Sequence, residues 1–396
     1  MSIAVPLRAH PRADFDVVLD RVSRIAEDVA GPAAADVDAE ARFPKETVDA
    51  LAAERLLSAY VPEALGGMGL SVEQVCRLCD VLGRQCASSA MVFAMHQIQV
   101  ACIVHHGGAS EYFQRYLGRL VDDQLLLASA TTEAGIGGDL RRSACSVDVD
   151  GQHFTLTKNA PVISYGHAAD AILVTARRSP LARPDDQVLV LVERDRLALE
   201  EASGWDTLGF RGTCSLGFLL QARGHVDQIL PASFADILTE TMHPFSHLSW
   251  GSVWLGLAVA AVGQARVSLR KKCLDGGEPP QVAAVRLAEV DEAVFCMRSV
   301  LRATISEYED LLAAGNRAAL GDFGFGIRVN NVKVACSELV GDIVTQAMRI
   351  VGISAYRNDS SSSLNRHLRD AVGAPLMVGN DRIRGHNATL QIVRGS

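Results

Sequence analysis

The stretch LRDAVGAPLMVGNDRI, from Leu368 to Ile383, places charged residues on both sides of an apolar centre. Its outer parts carry Arg–Asp pairs, whereas its centre from Pro375 to Gly379 carries no acid, base or nucleophile. An apolar turn so close to charged side chains is typical of the wall of a pocket. The sequence therefore raises the question of what supplies the chemistry of that pocket.

The cysteines of the chain do not form a recognisable ligand set. There are nine of them, scattered and odd in number, which predicts a reduced chain in the cytosol. Cys76 and Cys79 form a C-x-x-C pair, but no second Cys or His pair lies nearby to complete a zinc site. Because they stand three residues apart in a helical pattern, we expect core packing and no metal site.

Composition and charge narrow the classes of function. Lys plus Arg total 38 and Asp plus Glu total 46, which gives a net charge of −8. This excess of acid disfavours a role on nucleic acid or on a membrane surface, because both require a basic face. The N-terminal residues lack the apolar core of a signal peptide, and the longest apolar run, from Val253, is too short to span a bilayer. These features predict a cytoplasmic protein without membrane insertion.

The hydrophobic period changes twice along the 396 residues, a length that suggests two or three domains. Residues 1–122 carry helical patterns, residues 123–233 contain the alternating segments HFTLTK, AILVTARR and QVLVLVER, and residues 234–396 return to helical patterns. The segment WGSVWLGLAVAAVGQARVSLRKK is apolar almost all round and predicts a buried helix. Since strands and helices do not alternate, the pattern predicts an α+β protein of three domains and not a doubly wound sheet.

Five motifs in order, from about Phe43 to the end, resemble those of the acyl-CoA dehydrogenase superfamily. They are FPKETVDALAAERLLSAYVPEALGGMGL, ATTEAGIGGD, FTLTKNAPVISYGHAAD, DTLGFRGTCSLGF, and the pair RKKCLDGGEPPQ and AMRIVGISAY. The resemblance implies an N-terminal all-α domain, a middle β-barrel or sandwich domain and a C-terminal four-helix bundle. It also implies a flavoprotein oxidoreductase that uses FAD, with FMN the less expected cofactor.

The second and third motifs imply contacts to the flavin. By the resemblance, Thr131 and Thr132 face the flavin ring, and Gly137 and Gly138 lie near the pyrophosphate, where glycines let backbone amides approach phosphate oxygens. In the third motif Val162 replaces the Trp that stacks near the flavin. Ser164 replaces a Thr and keeps a hydroxyl group.

The fifth motif implies contacts across a subunit boundary. Arg270 and Gln281 stand where family members reach the cofactor of a neighbouring subunit, and Arg suits a diphosphate because its charge is permanent and its donors are planar. Arg349 replaces the family Gln, Gly352 is retained, and two further glycines of that motif are lost. The adenine end of the site is therefore altered, and we expect a homodimer or homotetramer.

The opening stretch aligns with the family pattern that carries the catalytic base. Arg369 and Asp370 match its R-D pair, Gly379 matches its Gly, and Asn380 replaces its Thr, beside the flavin. Val378 falls on the catalytic Glu, so Val378 and Gly379 are expected at the substrate. The alternative location of the base, near Ser246, holds no carboxylate either. A positioned base contributes roughly 10²–10⁴ in rate, although the Val378 N–H could still stabilise an oxyanion.

Three functions remain open from the sequence. The leading one is α,β-oxidation of an acyl thioester, on CoA or a carrier protein, with hydride transfer to flavin and a relocated base, for which His243, His247 and Asp381 are candidates. The second is a reduced-flavin monooxygenase, which needs a dry pocket and a hydrogen-bond donor such as His96 or Ser164. The third is a non-catalytic relative that binds an acyl thioester. An electron-accepting flavoprotein or a flavin reductase is the expected protein partner.

Overall fold

The structure, a computed structural model, describes residues 14–137, 139–274 and 281–393. Its N-terminal part is helical, and the helix that follows the glycine-rich loop of residues 66–69 begins at a Ser71–Gln74 capping box. The sixth helix ends at a left-handed Gln124, which directs the chain into the first strand. The helices are α1 (Phe15–Ile25), α2 (Gly31–Ala39), α3 (Lys45–Ala53), α4 (Val72–Gly83), α5 (Ala87–His106) and α6 (Glu111–Asp123).

The middle part consists of two sheets. Their strands are β1 (Leu127–Ala130), β2 (Asp148–Asp150), β3 (His153–Ile163), β4 (Ala171–Arg177), β5 (Gln187–Glu193), β6 (Leu197–Ser203) and β7 (Leu216–His225). One sheet has the order β1-β4-β5 and the other β2-β3-β7-β6. Strands β4 and β5 are buried almost throughout, whereas β3 alternates between buried and exposed residues, as expected for one covered face. The described strands form a sandwich and do not close into the barrel that the sequence left open.

The C-terminal part is helical again. Its elements are α7 (Phe234–Ile237), α8 (His243–Leu274), α9 (Gln281–Ala313), α10 (Arg317–Leu320), α11 (Phe323–Val351), α12 (Ile353–Tyr356), α13 (Asn365–Gly373) and α14 (Asn380–Val393). The long helices α8, α9 and α11 pack on one another, and α14 packs on α11. The predicted buried helix is α8, although Val267 and Leu274 in its last turns are 62% and 87% exposed.

Glycines bring α8 of the bundle against α4 of the N-terminal part. A Cβ atom on Gly256 would lie 2.2 Å from the Asp80 carbonyl oxygen, and one on Gly83 would lie 2.6 Å from that of Val253. Neither glycine tolerates a side chain at this separation, so the two helices pack backbone to backbone. This contact fixes the position of α8 against the N-terminal part.

The R-D pair of α13 joins three parts of the chain. Arg369 forms an ion pair with Asp38 of α2, and the buried Asp370 carboxylate accepts a hydrogen bond of 2.6 Å from the Phe210 N–H of the middle part. A Cβ atom on Gly209 would lie 2.2 Å from the Arg369 carbonyl oxygen. These contacts hold α13, and with it the start of the turn that follows, against the middle part.

Two helical segments, Ala87–His106 and Phe234–Leu274, are long and apolar enough to cross a membrane by length and composition. Their most apolar windows are 89% and 61% buried inside the protein. The apolar run from Val253 is too short to span a bilayer by itself, but the longer helical segments meet the length and composition that spanning requires. The burial of both segments is the pattern of core helices, because their apolar surface is already covered by protein.

Candidate functional site

Segments that the sequence predicts at a cofactor lie next to one another where the β sandwich meets α14, a junction that we call the cleft. The loop after β1 is fastened to the end of β3, because the Thr132 hydroxyl donates to the Val162 carbonyl oxygen over 2.9 Å. On its other side this loop accepts a hydrogen bond of 3.3 Å at the Gly137 carbonyl from Arg382 of α14. The cleft is thus bordered by the sandwich on one side and by α14, with the turn before it, on the other.

A buried carboxylate fixes the base of the loop. Glu133 accepts hydrogen bonds from the Ser143 hydroxyl (2.6 Å), the Cys145 N–H (2.6 Å) and the Lys158 ammonium (3.3 Å). Burial lowers the pKa of Lys158, and the charge of Glu133 opposes that shift. Because its oxygens are engaged in this way, Glu133 orders the loop and is not a free proton acceptor.

The loop leaves room for a phosphate-bearing group. Gly135 and Gly137 have φ angles of 86° and 61°, in the region that favours glycine. Among the described residues beyond the chain neighbours, no heavy atom lies within 4 Å of a Cβ built on either glycine. Amides of such a loop approach phosphate oxygens closely, so a flavin phosphate fits this donor set. The predicted contact of Gly138 lies outside the described residues.

The hydroxyl groups beside the end of β3 form a directed chain. The Thr213 hydroxyl donates to the Phe210 carbonyl (2.9 Å), so it accepts from Ser215 (2.8 Å), which in turn accepts from Ser164 (2.8 Å). The single Ser164 proton is therefore used inside the sandwich. Ser164 offers a ligand an acceptor oxygen and not the donor that the monooxygenase hypothesis required of it.

Removal of the Thr132 hydroxyl tests this side of the cleft. We expect Thr132→Val to weaken flavin binding roughly tenfold, because the loop loses its hydrogen bond to Val162. Fluorescence titration of the apoprotein with flavin measures the affinity. Thr155→Val, at an exposed position of β3, is the matched control. Equal flavin affinity of Thr132→Val and the control would show that the loop needs no such fastening.

Val378 lies in a strained turn between α13 and α14. Its φ angle is 54°, which β-branched residues rarely adopt. Within the turn, the N–H groups of Met377 and Gly379 bond to carbonyl groups of Gly373 and Leu376. In the part of the chain that the structure describes, the Val378 N–H has no acceptor. The predicted base position thus offers a ligand a hydrogen-bond donor but no proton acceptor.

The side chain of Asn380 faces the bundle. Its Oδ1 accepts from the Lys333 ammonium (2.6 Å), and its Nδ2 donates to the Ser337 hydroxyl (3.0 Å) and to Glu338 (3.3 Å). These contacts leave no free side-chain group for a cofactor, contrary to the expectation from the sequence. Sequence reasoning missed Lys333, although a single lysine between the valines of VNNVKVACSELV was a usable signal.

The first turns of α8 bring two predicted candidates together. The rings of His243 and His247 lie 4.4 Å apart, and the Ser246 hydroxyl is bonded to the His243 carbonyl. Asn330 donates from Nδ2 to Asn387 (2.7 Å), so its Oδ1 accepts from His243 Nε2 (2.8 Å). Burial lowers the pKa of His243 to about 4 and that of His247 well below its usual value. Both rings are therefore neutral at neutral pH.

A third histidine lies at the same end of the cleft. The Arg141 guanidinium donates to His386 Nε2 over 2.5 Å, so the proton of the neutral His386 ring is on Nδ1. Burial and the charge of Arg141 lower the pKa of His386. The charge of Arg141, and that of His386 when it is protonated, also lower the pKa of His243. The histidines at this end of the cleft are thus neutral at neutral pH, and Arg141 and Asp139 supply charges beside His386.

Comparison with known proteins identifies the family to which the chain belongs. The family model for the N-terminal domain of acyl-CoA dehydrogenases matches residues 13–124, and that for the C-terminal domain matches residues 248–376. The two matches together cover more than half of the chain. This protein belongs to the acyl-CoA dehydrogenase superfamily. The predicted family and fold class are confirmed, and the chain is a flavin oxidoreductase of this superfamily.

Individual proteins that are similar to this chain match it over nearly its whole length. Cyclohex-1-ene-1-carbonyl-CoA dehydrogenase of Geobacter metallireducens is 24% identical over 379 residues, which cover 94% of this chain and 96% of the relative. KijD3, solved with FMN and a dTDP-linked amino sugar, has a TM-score of 0.83 at 21% identity and covers 97% and 95%. Dibenzothiophene monooxygenase (TdsC) of Paenibacillus sp. A11-2 has a TM-score of 0.78 at 18% identity and covers 94% and 96%. The similar structures establish the shared fold.

Two other residues of this acyl-CoA dehydrogenase superfamily member, the predicted donor His96 and the predicted base Asp381, are less suited to those roles. His96 is buried in α5, where Nδ1 accepts from the Leu127 N–H (3.0 Å) and Nε2 donates to the Leu57 carbonyl (2.6 Å). With both nitrogens occupied, His96 joins α5 to β1 and has no proton for a ligand. Asp381 is exposed in the first turn of α14, where its charge favours the helix N-terminus.

The predicted intersubunit contacts lie at the opposite end of the bundle. Arg270, Gln281 and Arg349 are all exposed. At 1.5 Å per residue, Arg270 lies about 35 Å along α8 from His247. Lys272 donates to the Val351 carbonyl (3.1 Å) at the end of α11, where Gly352 follows with a φ of 88°. These residues are therefore grouped with one another and are separate from the cleft of their own chain.

Two polar cavities, of about 650 and 600 Å³, also lie outside the cleft of this family member. They flank the start of α13 and share Ser363, Arg366 and His367 in their walls. None of the predicted site residues lines them. Their volume therefore gives no reason to move the candidate site away from the cleft between the sandwich and α14.

Proposed function

We propose that this flavoprotein is a reduced-flavin monooxygenase that acts on an apolar substrate. The observation that carries the proposal is the absence of a carboxylate at Val378 and at Ser246, in a cleft that keeps hydrogen-bond donors. A base is indispensable for removing an α proton from a thioester but not for inserting oxygen. When bound, the flavin supplies the electrons that activate O₂.

The residues of the chain are suited to a dry cleft with a few directed donors. Trp250 and Trp254 continue the face of α8 that begins with His243 and His247. The neutral histidines do not attract water as charged groups would. Among the described residues, the Val378 N–H and the indole N–H groups of Trp250 and Trp254 have no acceptor, and they can serve with the His386 Nδ1–H as donors to the substrate or to oxygen. TdsC and KijD3 share this fold, and TdsC is described as a monooxygenase.

Oxidation of an acyl thioester at its α,β carbons is the second candidate. It is favoured by the free Val378 N–H, which suits a thioester carbonyl oxygen, and by full-length similarity to a CoA thioester dehydrogenase. In that reaction the flavin accepts the hydride. A relocated base must then come from the neutral His243 or His247, or from the exposed Asp381.

Two experiments on the flavin-loaded protein separate these functions. In the first, oxidised protein is mixed anaerobically with a panel of acyl thioesters while the visible flavin absorbance is followed. In the second, a flavin reductase and NADH keep the flavin reduced in air, and oxygen uptake is compared with and without apolar aromatic substrates. We expect no bleaching in the first and substrate-dependent product in the second. Bleaching by a thioester would instead establish the dehydrogenase.

We further propose that the active form is a homodimer or homotetramer in the cytoplasm. Arg270, Gln281 and Arg349 are too distant for the flavin ring of their own cleft and suit a dinucleotide, expected to be FAD, held by a second copy. The outer face of α9 also carries exposed apolar side chains. They are Val282, Val285, Phe295 and Val300. An electron-accepting flavoprotein or a flavin reductase completes the set of partners.

A charged residue on this face tests the assembly. Phe295 is 67% exposed in the single chain, so we expect Phe295→Lys to dissociate the oligomer without unfolding the protomer. Light scattering during size-exclusion chromatography measures the mass. Leu181→Lys, at an exposed apolar residue in a loop of the sandwich, is the matched control. If Phe295→Lys kept the mass of the control, α9 would not form the interface.

A further inference from the structure

Lys333 is a buried cation without a carboxylate partner among the described residues. Its side chain on α11 has no exposed surface, and its ammonium contacts the Asn380 Oδ1 (2.6 Å) and the Ala374 carbonyl oxygen (3.4 Å). The ring of Trp254 lies 5.8 Å from the nitrogen. Burying a charge costs free energy unless the charge is paired or hydrogen-bonded. By contrast, the buried Lys158 forms an ion pair with Glu133.

The two oxygen contacts of Lys333 mark the two ends of one turn. Ala374 ends α13, Asn380 begins α14, and the residues between them include Val378. The left-handed conformation of Val378 is unfavourable for a β-branched residue by about 1–2 kcal/mol. Strain of this size persists only where the surrounding structure holds the backbone in place. Charge-assisted hydrogen bonds at both ends of the turn are a suitable restraint.

We propose that Lys333 is a positioning residue that clamps the Ala374–Asn380 turn and thereby holds Val378 in its left-handed conformation with a free N–H. The ammonium acts through the turn and does not touch the reacting atoms. Only the use of that N–H toward a substrate rests on the proposed function. The clamp itself is a property of the fold and is tested without turnover.

The titration of Lys333 agrees with this role. Burial lowers its pKa to about 8, while the charge of Glu338 opposes the shift. Lys333 is therefore mostly charged at neutral pH, when both hydrogen bonds are at their strongest. The groups that face it include His247 and Trp254 of α8, Asn380 and Arg382 of α14, and Glu338 of α11.

Hydrogen exchange of the turn measures the clamp. The amides of Leu376, Met377, Gly379 and Asn380 bond within the turn or to the end of α13, so their protection reports its integrity. In Lys333→Met we expect that protection to fall roughly tenfold or more, while α11 keeps its own. Lys158→Met is the matched control, because it removes an equally buried lysine whose hydrogen bonds go to Glu133 and Thr175 and not to the turn. The control should leave the protection of the turn unchanged.

A glycine at position 378 provides the decisive second variant. Glycine adopts a positive φ without steric cost, so Lys333→Met/Val378→Gly should recover most of the protection that Lys333→Met loses. A lysine that merely stabilises the core would give no such rescue. Unchanged turn protection in Lys333→Met, or a loss that Val378→Gly does not reverse, would overturn the proposal. If Lys333→Met does not fold, the double variant is still expected to fold, and its failure to fold would equally overturn the proposal.

The same variants show whether the N–H is used. If the proposed function holds, product formation should fall in Lys333→Met and recover in part in the double variant. If the double variant recovers amide protection but the wild-type protein forms no product, the clamp is established and the proposed function is refuted. The two failures are therefore distinguishable.

Discussion

Val378→Glu is expected to bleach its flavin with a bound acyl thioester roughly 10²–10⁴ times faster than the wild-type protein does. The substitution places a carboxylate where the aligned family pattern has its base, beside a backbone N–H without an acceptor. A positioned base contributes a factor of that size, and the N–H stabilises the developing charge on the carbonyl oxygen. Glutamate is not β-branched, so the positive φ of this position strains it less than it strains valine. Anaerobic stopped-flow absorbance measures the rate.

Val378→Gln is the matched control for this gain of function. It has the size and polarity of glutamate but cannot accept a proton at neutral pH, so its bleaching rate should stay near that of the wild type. Both variants must first be shown to be folded and loaded with flavin. If Val378→Glu then remained inert toward every thioester it binds, Val378 would not face the reacting carbon. The interpretation of residues 368–383 would be wrong in that case.

The second large effect concerns the pH dependence of stability through Asp370. Burial raises the pKa of this carboxyl to about 6, and its hydrogen bond from the Phe210 N–H opposes that shift. Since the folded pKa lies above the unfolded value near 3.8, the folded state binds more protons between the two. The contribution of Asp370 to stability is therefore greatest below about pH 4 and is lost as the pH rises through 6.

Asp370→Asn removes this titration and keeps an oxygen for the Phe210 N–H. We expect the free energy of unfolding of the variant, relative to wild type, to improve by about 2–3 kcal/mol between pH 4 and pH 7. Denaturant unfolding at a series of pH values measures the difference. Asp381→Asn, which removes an exposed carboxylate of α14, should show no such trend. A pH-independent difference for Asp370→Asn would show that the carboxyl is ionised throughout this range in the folded state.

Residues whose hydrogen-bond partners lie far away in the chain have roles that local motifs do not reveal. Thr132 and Val162 were both placed at the cofactor from local motifs, and the structure joins them directly. His96 looked like a free donor in MVFAMHQIQV, but its partners, at Leu57 and Leu127, lie more than 30 residues away in either direction. Ser164 lost its donor role for the same reason, because its proton is used at Ser215. Such partners are brought in by packing and cannot be read from adjacent residues.

The amino-acid sequence by itself determined the family, the three-part order of helices, strands and helices, and the missing carboxylate at Val378. These follow from residue identity and periodicity, which are properties of short segments. Only the tertiary structure decided which groups of the cleft remain free. The tautomers of His243 and His386, the occupied side chain of Asn380 and the buried charge of Lys333 all depend on hydrogen bonds between distant segments. A hydrogen bond requires two atoms within about 3 Å, and folding alone brings them to that distance.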